Sequence, residues 1–155
     1  MRSPPTRSRL YAVTTYLVIK ALAGKHTIVQ ALYEYFVEDA SPARLSHKYG
    51  FEKHQIRGYI QRIMEKARDY YRARTIVKHV APYVLRLKPA FKRINDAIVQ
   101  CKICGDQMAY IAFEDHLVRE HPSFVEEAVF SVIDCLQKDL SRRTLSQPDP
   151  RGSEA

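Results

Sequence analysis

SPARLSHKYGFEKHQIRGYI, residues 41–60, reads as two helices joined at a glycine. Ser41 can cap the free amides of a helix start, and Pro42 suits the first helical position, so a short helix is expected from Ser41-Pro42 to Tyr49-Gly50. Gly50 tolerates the positive φ that a tight inter-helix turn demands. A second helix then runs on through Ile56 and Ile60.

This stretch resembles a helix-turn-helix, over about 20 of the 155 residues. The resemblance implies that Leu45 and Tyr49 face inward from the first helix, and Phe51, Ile56 and Tyr59 or Ile60 from the second. It also implies that the second helix enters a major groove by its N-terminal half, making Lys53, His54, Arg57 and Gln61 candidate base or phosphate contacts. Arg57 is the first choice for a base, because a guanidinium grips guanine with two hydrogen bonds, typically worth about 1 to 3 kcal/mol of discrimination. Lys53 and Arg62 suit phosphate anchors, while Arg44 and Lys48 sit where the first helix crosses the backbone. Two residues depart from the pattern. Ser46 stands where the family usually has alanine. Gly58 lies inside the second helix, where glycine costs on the order of 1 kcal/mol; it allows close approach either to a sugar-phosphate strand or to a neighbouring helix.

Charge reinforces this reading. The chain's net charge of +8 is unevenly spread. Residues 41–95 hold fourteen basic and three acidic side chains, a net of +11, whereas residues 96–155 hold six basic and eleven acidic, a net of −5. Lysine- and arginine-rich helices also occur for solubility alone. Concentration in one 55-residue segment favours a polyanion, since each phosphate neutralised releases condensed counterions.

Helical periodicity extends on both sides. A helix is expected over residues 8–23, with Leu10, Val13, Leu17, Ala21 and Leu22 on one face and Gly24 as its stop. Thr27 followed by Gln30 forms a capping-box pattern for another through Val37. Beyond Ile60 the pattern continues through Ile63, Ala67 and Tyr70 or Tyr71, extending to residues 76–80 as one long helix until Pro82. Pro82 and Pro89 divide residues 82–95 into short helical pieces, a connector between the basic segment and the cysteine- and histidine-bearing one. Tyr70, Tyr71 and Tyr83 are assigned to the core rather than to base stacking.

Cys101, Cys104, His116 and His121 stand as Cys-x2-Cys-x11-His-x4-His, two soft thiolates and two imidazoles at near-standard spacing for a zinc site. The segment resembles CCHH zinc fingers, with Met108 and Phe113 at the two apolar positions of the module and a helix over residues 110–121. The spacer is 11 residues rather than the usual 12, and Met108 replaces an aromatic. Zn2+ is the expected cofactor. In that family bases are read from positions that here hold Ala109, Ala112 and Asp115, which are poor groove readers. Asp106, Glu114, Asp115 and Glu120 would repel phosphate. The finger is therefore expected to be structural or to contact protein.

Ser123 and Glu126 form a further capping box for a helix over residues 124–142 with an apolar stripe at Val125, Val129, Val132, Ile133, Leu136 and Leu140. That stripe either packs within the chain or pairs with its copy in a homodimer. Residues 144–155 read as a disordered tail.

The expected fold is mainly α: a helix-turn-helix helical domain over residues 1–95, a small ββα-like CCHH finger over 96–122, and a C-terminal helix. No apolar stretch reaches the roughly 20 residues of a membrane span. Arg2, Arg7 and Arg9 before the apolar run at 10–19 only weakly imitate a signal peptide, and Cys135 is left unpaired, so a cytoplasmic, nucleoid-associated protein is expected. No catalytic constellation appears, and four protein ligands close a zinc site to substrate. The expected function is duplex-DNA binding and transcription regulation, similar to small proteins of archaea and their viruses that combine such modules. The alternatives are a structural RNA-binding or ribosome-associated protein, and an adaptor whose finger and last helix dock a protein partner.

Overall fold

The computed structural model describes residues 5–146, with side chains from 9 to 143. Seven helices and a three-stranded antiparallel sheet make up the described residues, a mainly α architecture. Helix α1 (Pro5–Leu22) is its axis. It touches α2 (His26–Glu38), α4 (Lys53–Ala67), α5 (Tyr70–Val84), α6 (Tyr110–Glu120) and α7 (Pro122–Ser146). Val13, Leu17, Val18 and Ala21 are fully buried, and because neighbours cover several sides, Thr14 and Lys20 are buried too.

The two helices expected over residues 41–60 form, joined at Gly50, as the local chemistry dictates. Ser41 Oγ accepts from the Arg44 amide at 3.1 Å to open α3 (Pro42–Tyr49), and Gly50 closes it at φ 76°. Glu52 precedes α4, its amide donating to Gln55 Oε1 at 3.0 Å. Leu45 and Ile56 form a small core with Ala31 of α2, flanked by Tyr35, Tyr49, Phe51, Tyr59 and Ile60. Ser46, unusual at its position, donates its hydroxyl to the Phe51 carbonyl and so ties the turn.

Several boundaries differ from the sequence expectation. Helix α2 begins at His26 with Lys25 at its cap and no side-chain cap, so Thr27 lies in the first turn and its capping box with Gln30 does not form. The long helix after Ile60 is cut in two at Arg68, which takes φ 78°; Asp69 then caps α5 by accepting from the Arg72 amide at 2.8 Å. An unbroken helix from α4 through α5 would be roughly 48 Å long and would carry its second half past the core. The break instead turns α5 back, burying Ala73, Val77, Val80 and Ala81. Pro82 sits in the last turn of α5, where its missing amide removes one bond without ending the helix. The connector after it is not helical: it leads into strand β1 (Phe91–Arg93). Helix α7 starts at Pro122, which puts Ser123 inside the first turn rather than at the cap. It runs on through Thr144 to Ser146, the first residues of the expected tail; residues 147–155 lie outside the described residues.

Strand β2 (Ile98–Cys101) is central, pairing with β1 through Phe91↔Cys101 and with β3 (Gln107–Ala109) through Val99↔Met108. One continuous apolar cluster joins sheet and helices. Val99, Cys101, Phe113 and Leu117 share it with Val13, Phe36, Val77 and Val129. The sheet is also hydrogen-bonded to the α1–α2 turn, through the Ala90 amide to the Leu22 carbonyl at 2.8 Å and Tyr110 Oη to the Ala23 carbonyl at 3.2 Å.

Gly24 is the joint. It holds φ +77°, and a Cβ there would lie 2.8 Å from Cζ of Phe91. That ring is wedged edge-on against Phe113 and Tyr110, with centroids 5.1 and 5.6 Å away, and cannot easily retreat. Gly24→Ala combines a left-handed backbone penalty with overpacking and is expected to cost about 2 kcal/mol, read as a lower denaturation midpoint at unchanged m-value. An unchanged midpoint would contradict this packing.

Candidate metal centre and nucleic-acid face

The four expected metal ligands converge. Cys101 ends β2, Cys104 lies in the knuckle that Gly105 closes at φ 84°, His116 lies on α6, and His121 terminates it. The Cys101 amide donates to the Asp106 carbonyl and the Gly105 amide to the Cys101 carbonyl, which fixes the knuckle. One ligand atom from each of the four residues lies within 4.8 Å of the others, and Cys104 Sγ is 3.5 Å from His116 Nε2. A tetrahedral ion with bonds of about 2.0 to 2.3 Å separates its ligand atoms by roughly 3.3 to 3.8 Å, so the spacing fits.

Two further observations test the fit. His121 Nε2 is buried yet has no hydrogen-bond partner, an orphan that a metal bond would satisfy. The Asp106 backbone favours a Cys104 thiolate, but desolvation and the neighbouring Cys101 thiol outweigh it and push the Cys104 thiol up. A cation bound beside Cys104 would displace its proton and favour the thiolate. Among the described residues, these four side chains therefore form a cluster suited to a metal.

Helix α6 is bound to the rest of the chain by a contact that sequence reasoning missed. Glu114 accepts from Lys20 at 2.9 Å and from Lys25 at 2.8 Å. Burial would raise the Glu114 carboxyl, but the hydrogen bonds and charges of the two lysines outweigh it and hold it below its ordinary value. Glu114, expected to repel phosphate, is thus neutralised inward. Lys20 Nζ in turn lies 5.1 Å from the Tyr16 ring centre and 5.7 Å from that of Tyr59 on α4. Burial pushes the Tyr16 hydroxyl up to about 12, against the opposing charge of Arg62. A lone lysine in an apolar helix ordinarily reads as solvated, and only the docking of α6 reveals its partner.

Arg44, Lys53, His54, Arg57, Gln61 and Arg62 are all exposed along α3 and α4. The side chains of Arg44, Lys53, Arg57 and Arg62 make no ion pair or side-chain hydrogen bond among the described residues. Gln61 donates to Glu65 at 3.2 Å, and His54 stands 3.8 Å from Glu52. Lys48 differs. It donates to both Glu34 oxygens, at 3.0 and 3.1 Å, and Tyr49 donates to the same carboxylate. Burial would raise Glu34, yet Tyr49 and Lys48 hold it below its ordinary value, so the Lys48 charge is largely spent within the chain.

The outer face of α6 and the residue before it shows the opposite character. Ala109, Ala112 and Asp115 face solvent, Asp115 is paired to Arg119 at 2.9 Å, and Ile111 is 91% exposed. Of the tyrosines assigned to the core, Tyr70 packs on Phe36 and Tyr83 donates to Asp139, but Tyr71 is 78% exposed and lies outside it. In α7, Val125, Val129, Val132 and Leu136 are consumed by the chain's own core. No described helix is long and apolar enough to cross a membrane. Compared with family models, curated proteins and solved structures, the chain finds no match.

Proposed function

We propose that the chain binds duplex DNA through α3 and α4 as a transcription regulator, and that zinc held by Cys101, Cys104, His116 and His121 builds the platform on which those helices stand. One observation carries most of the weight: four cationic side chains, Arg44, Lys53, Arg57 and Arg62, are exposed on α3 and α4 and form no ion pair among the described residues, while the finger's outward positions hold two alanines and a paired aspartate. Exposed cations held in no ion pair are available to phosphates and base edges. Thiolate and imidazole ligands in a tetrahedral set favour zinc, and four protein ligands leave no position for a substrate, which speaks for a structural ion rather than an enzyme.

Binding titrations with duplex DNA, structured RNA and single strands across a salt series test the proposal. Affinity for duplex should fall with salt at a log–log slope of about −0.9 per phosphate engaged. A preferred sequence is expected, and Arg57→Ala should lose about 1 to 3 kcal/mol on it while binding other duplexes nearly as before. Equal binding to all duplexes would remove the regulatory reading, a preference for structured RNA would favour the ribosome-associated alternative, and no nucleic-acid binding would leave the adaptor.

A further inference from the structure

We infer that Gly58 is the point of closest approach between α4 and the DNA, a bare patch of helix against which one sugar-phosphate strand seats directly. The inference rests on the duplex-binding proposal and sharpens it to one face of the helix.

Within α4, Gly58 is the residue with the poorest helix propensity, and it lies in the interior where no turn needs it. Its backbone is not in the left-handed region, and a Cβ built on it meets nothing within 4 Å. Packing inside the chain therefore does not demand a glycine. Of the two explanations open from sequence, close approach to a neighbouring helix of the same chain is removed, because no atom of another described element comes within 4 Å of that Cβ. Approach by something outside the chain is left.

The surroundings identify that partner chemically. Helical neighbours three and four residues away share a face. Those of Gly58 are His54, Gln55, Gln61 and Arg62, all exposed, and Arg57 is adjacent. Gln55 is occupied in capping Glu52, Gln61 donates to Glu65 and His54 stands 3.8 Å from Glu52, which leaves the guanidinium of Arg62, with that of Arg57 adjacent, outside any ion pair beside a patch with no side chain. No residue within four positions of Gly58 on α4 carries a carboxylate; Glu52 and Glu65 lie beyond at the two ends, beside His54 and Gln61. A half-buried stretch of backbone without a side chain, flanked by Arg57 and Arg62, suits an anionic strand held close, since glycine is the residue that lets a ligand approach the main chain. The deepest contact then falls on the side bearing His54, Gln61 and Arg62, with Arg57 at its edge.

Gly58→Ala and Gly58→Leu, compared with wild type and Arg57→Ala in melting and in duplex binding, test this. Both variants should fold, and alanine should raise the melting temperature by about 2 to 4 °C, because it removes the glycine penalty where space is open. Duplex affinity should fall with side-chain size, reaching about tenfold or more for Gly58→Leu. Stabilisation together with weakened binding separates a contact role from a structural one. If Gly58→Leu binds duplex as tightly as wild type while Arg57→Ala is impaired, the Gly58 inference is overturned and the duplex proposal stands. If wild type binds no duplex, both are overturned.

Discussion

Removing the metal should destabilise the whole molecule, not only the segment that holds it. Structural zinc contributes on the order of 10 kcal/mol to small modules of this kind, against about 5 to 15 kcal/mol for the total stability of a domain. Val99, Cys101, Phe113 and Leu117 belong to the same apolar cluster as the helices, so loosening the knuckle opens the core beneath α1. The expected result is a single unfolding transition, monitored by far-ultraviolet circular dichroism, that collapses to far lower temperature with a strong chelator and recovers when zinc is returned at one equivalent per chain. Cys104→Ser should reproduce the loss. A purified chain that holds no zinc and melts identically with and without chelator would refute the metal centre.

Glu114→Gln is the second large effect. The substitution leaves Lys20, whose side chain is only 11% exposed, without its carboxylate partner. Breaking a buried pair from one side typically costs about 3 to 5 kcal/mol; with Glu114 itself 27% exposed, the lower end, about 3 kcal/mol, is expected. Lys20→Met should be milder, and the double variant should cost less than the two singles together, because removing both charges strands neither. Denaturant midpoints of the four proteins, each checked for unchanged zinc content, give the coupling energy. Strict additivity would mean that Glu114 does not dock the finger. The pair also bears on function. Lys20 sits over the Tyr59 ring of α4, so a chain of contacts runs from α6 through α1 to the helix proposed to enter the groove.

How far the sequence reached can be judged element by element. Ser41, Pro42 and Gly50 act through bonds to residues within five positions of themselves, so the bounds of α3 were legible before any tertiary structure existed. The convergence of Cys101, Cys104, His116 and His121 was legible for another reason: a tetrahedral ion accepts few chemistries at few spacings, and Cys-x2-Cys with two histidines satisfies both. Boundaries that depended on distant packing were not. The kink at Arg68 arises from the need to fold α5 back over α1 and α2, although Asp69 as a cap was a local sign that could have been used. Strand β1 was hidden because three residues carry too little periodicity, and its pairing partner Val99 lies beyond an intervening turn.

By itself, then, the chain's covalent order determined which residues could cap, turn, bind a metal or meet a polyanion, since those capacities reside in side-chain chemistry and short-range geometry. Only the folded molecule decided how they were used. It drew Glu114 and Lys48 into internal pairs, released Tyr71 to solvent, merged the finger's core with that of the helices and left open space over Gly58. Each of these outcomes depends on which distant surface arrives opposite a given side chain, and burial and charge pairing are properties of that encounter rather than of the residue.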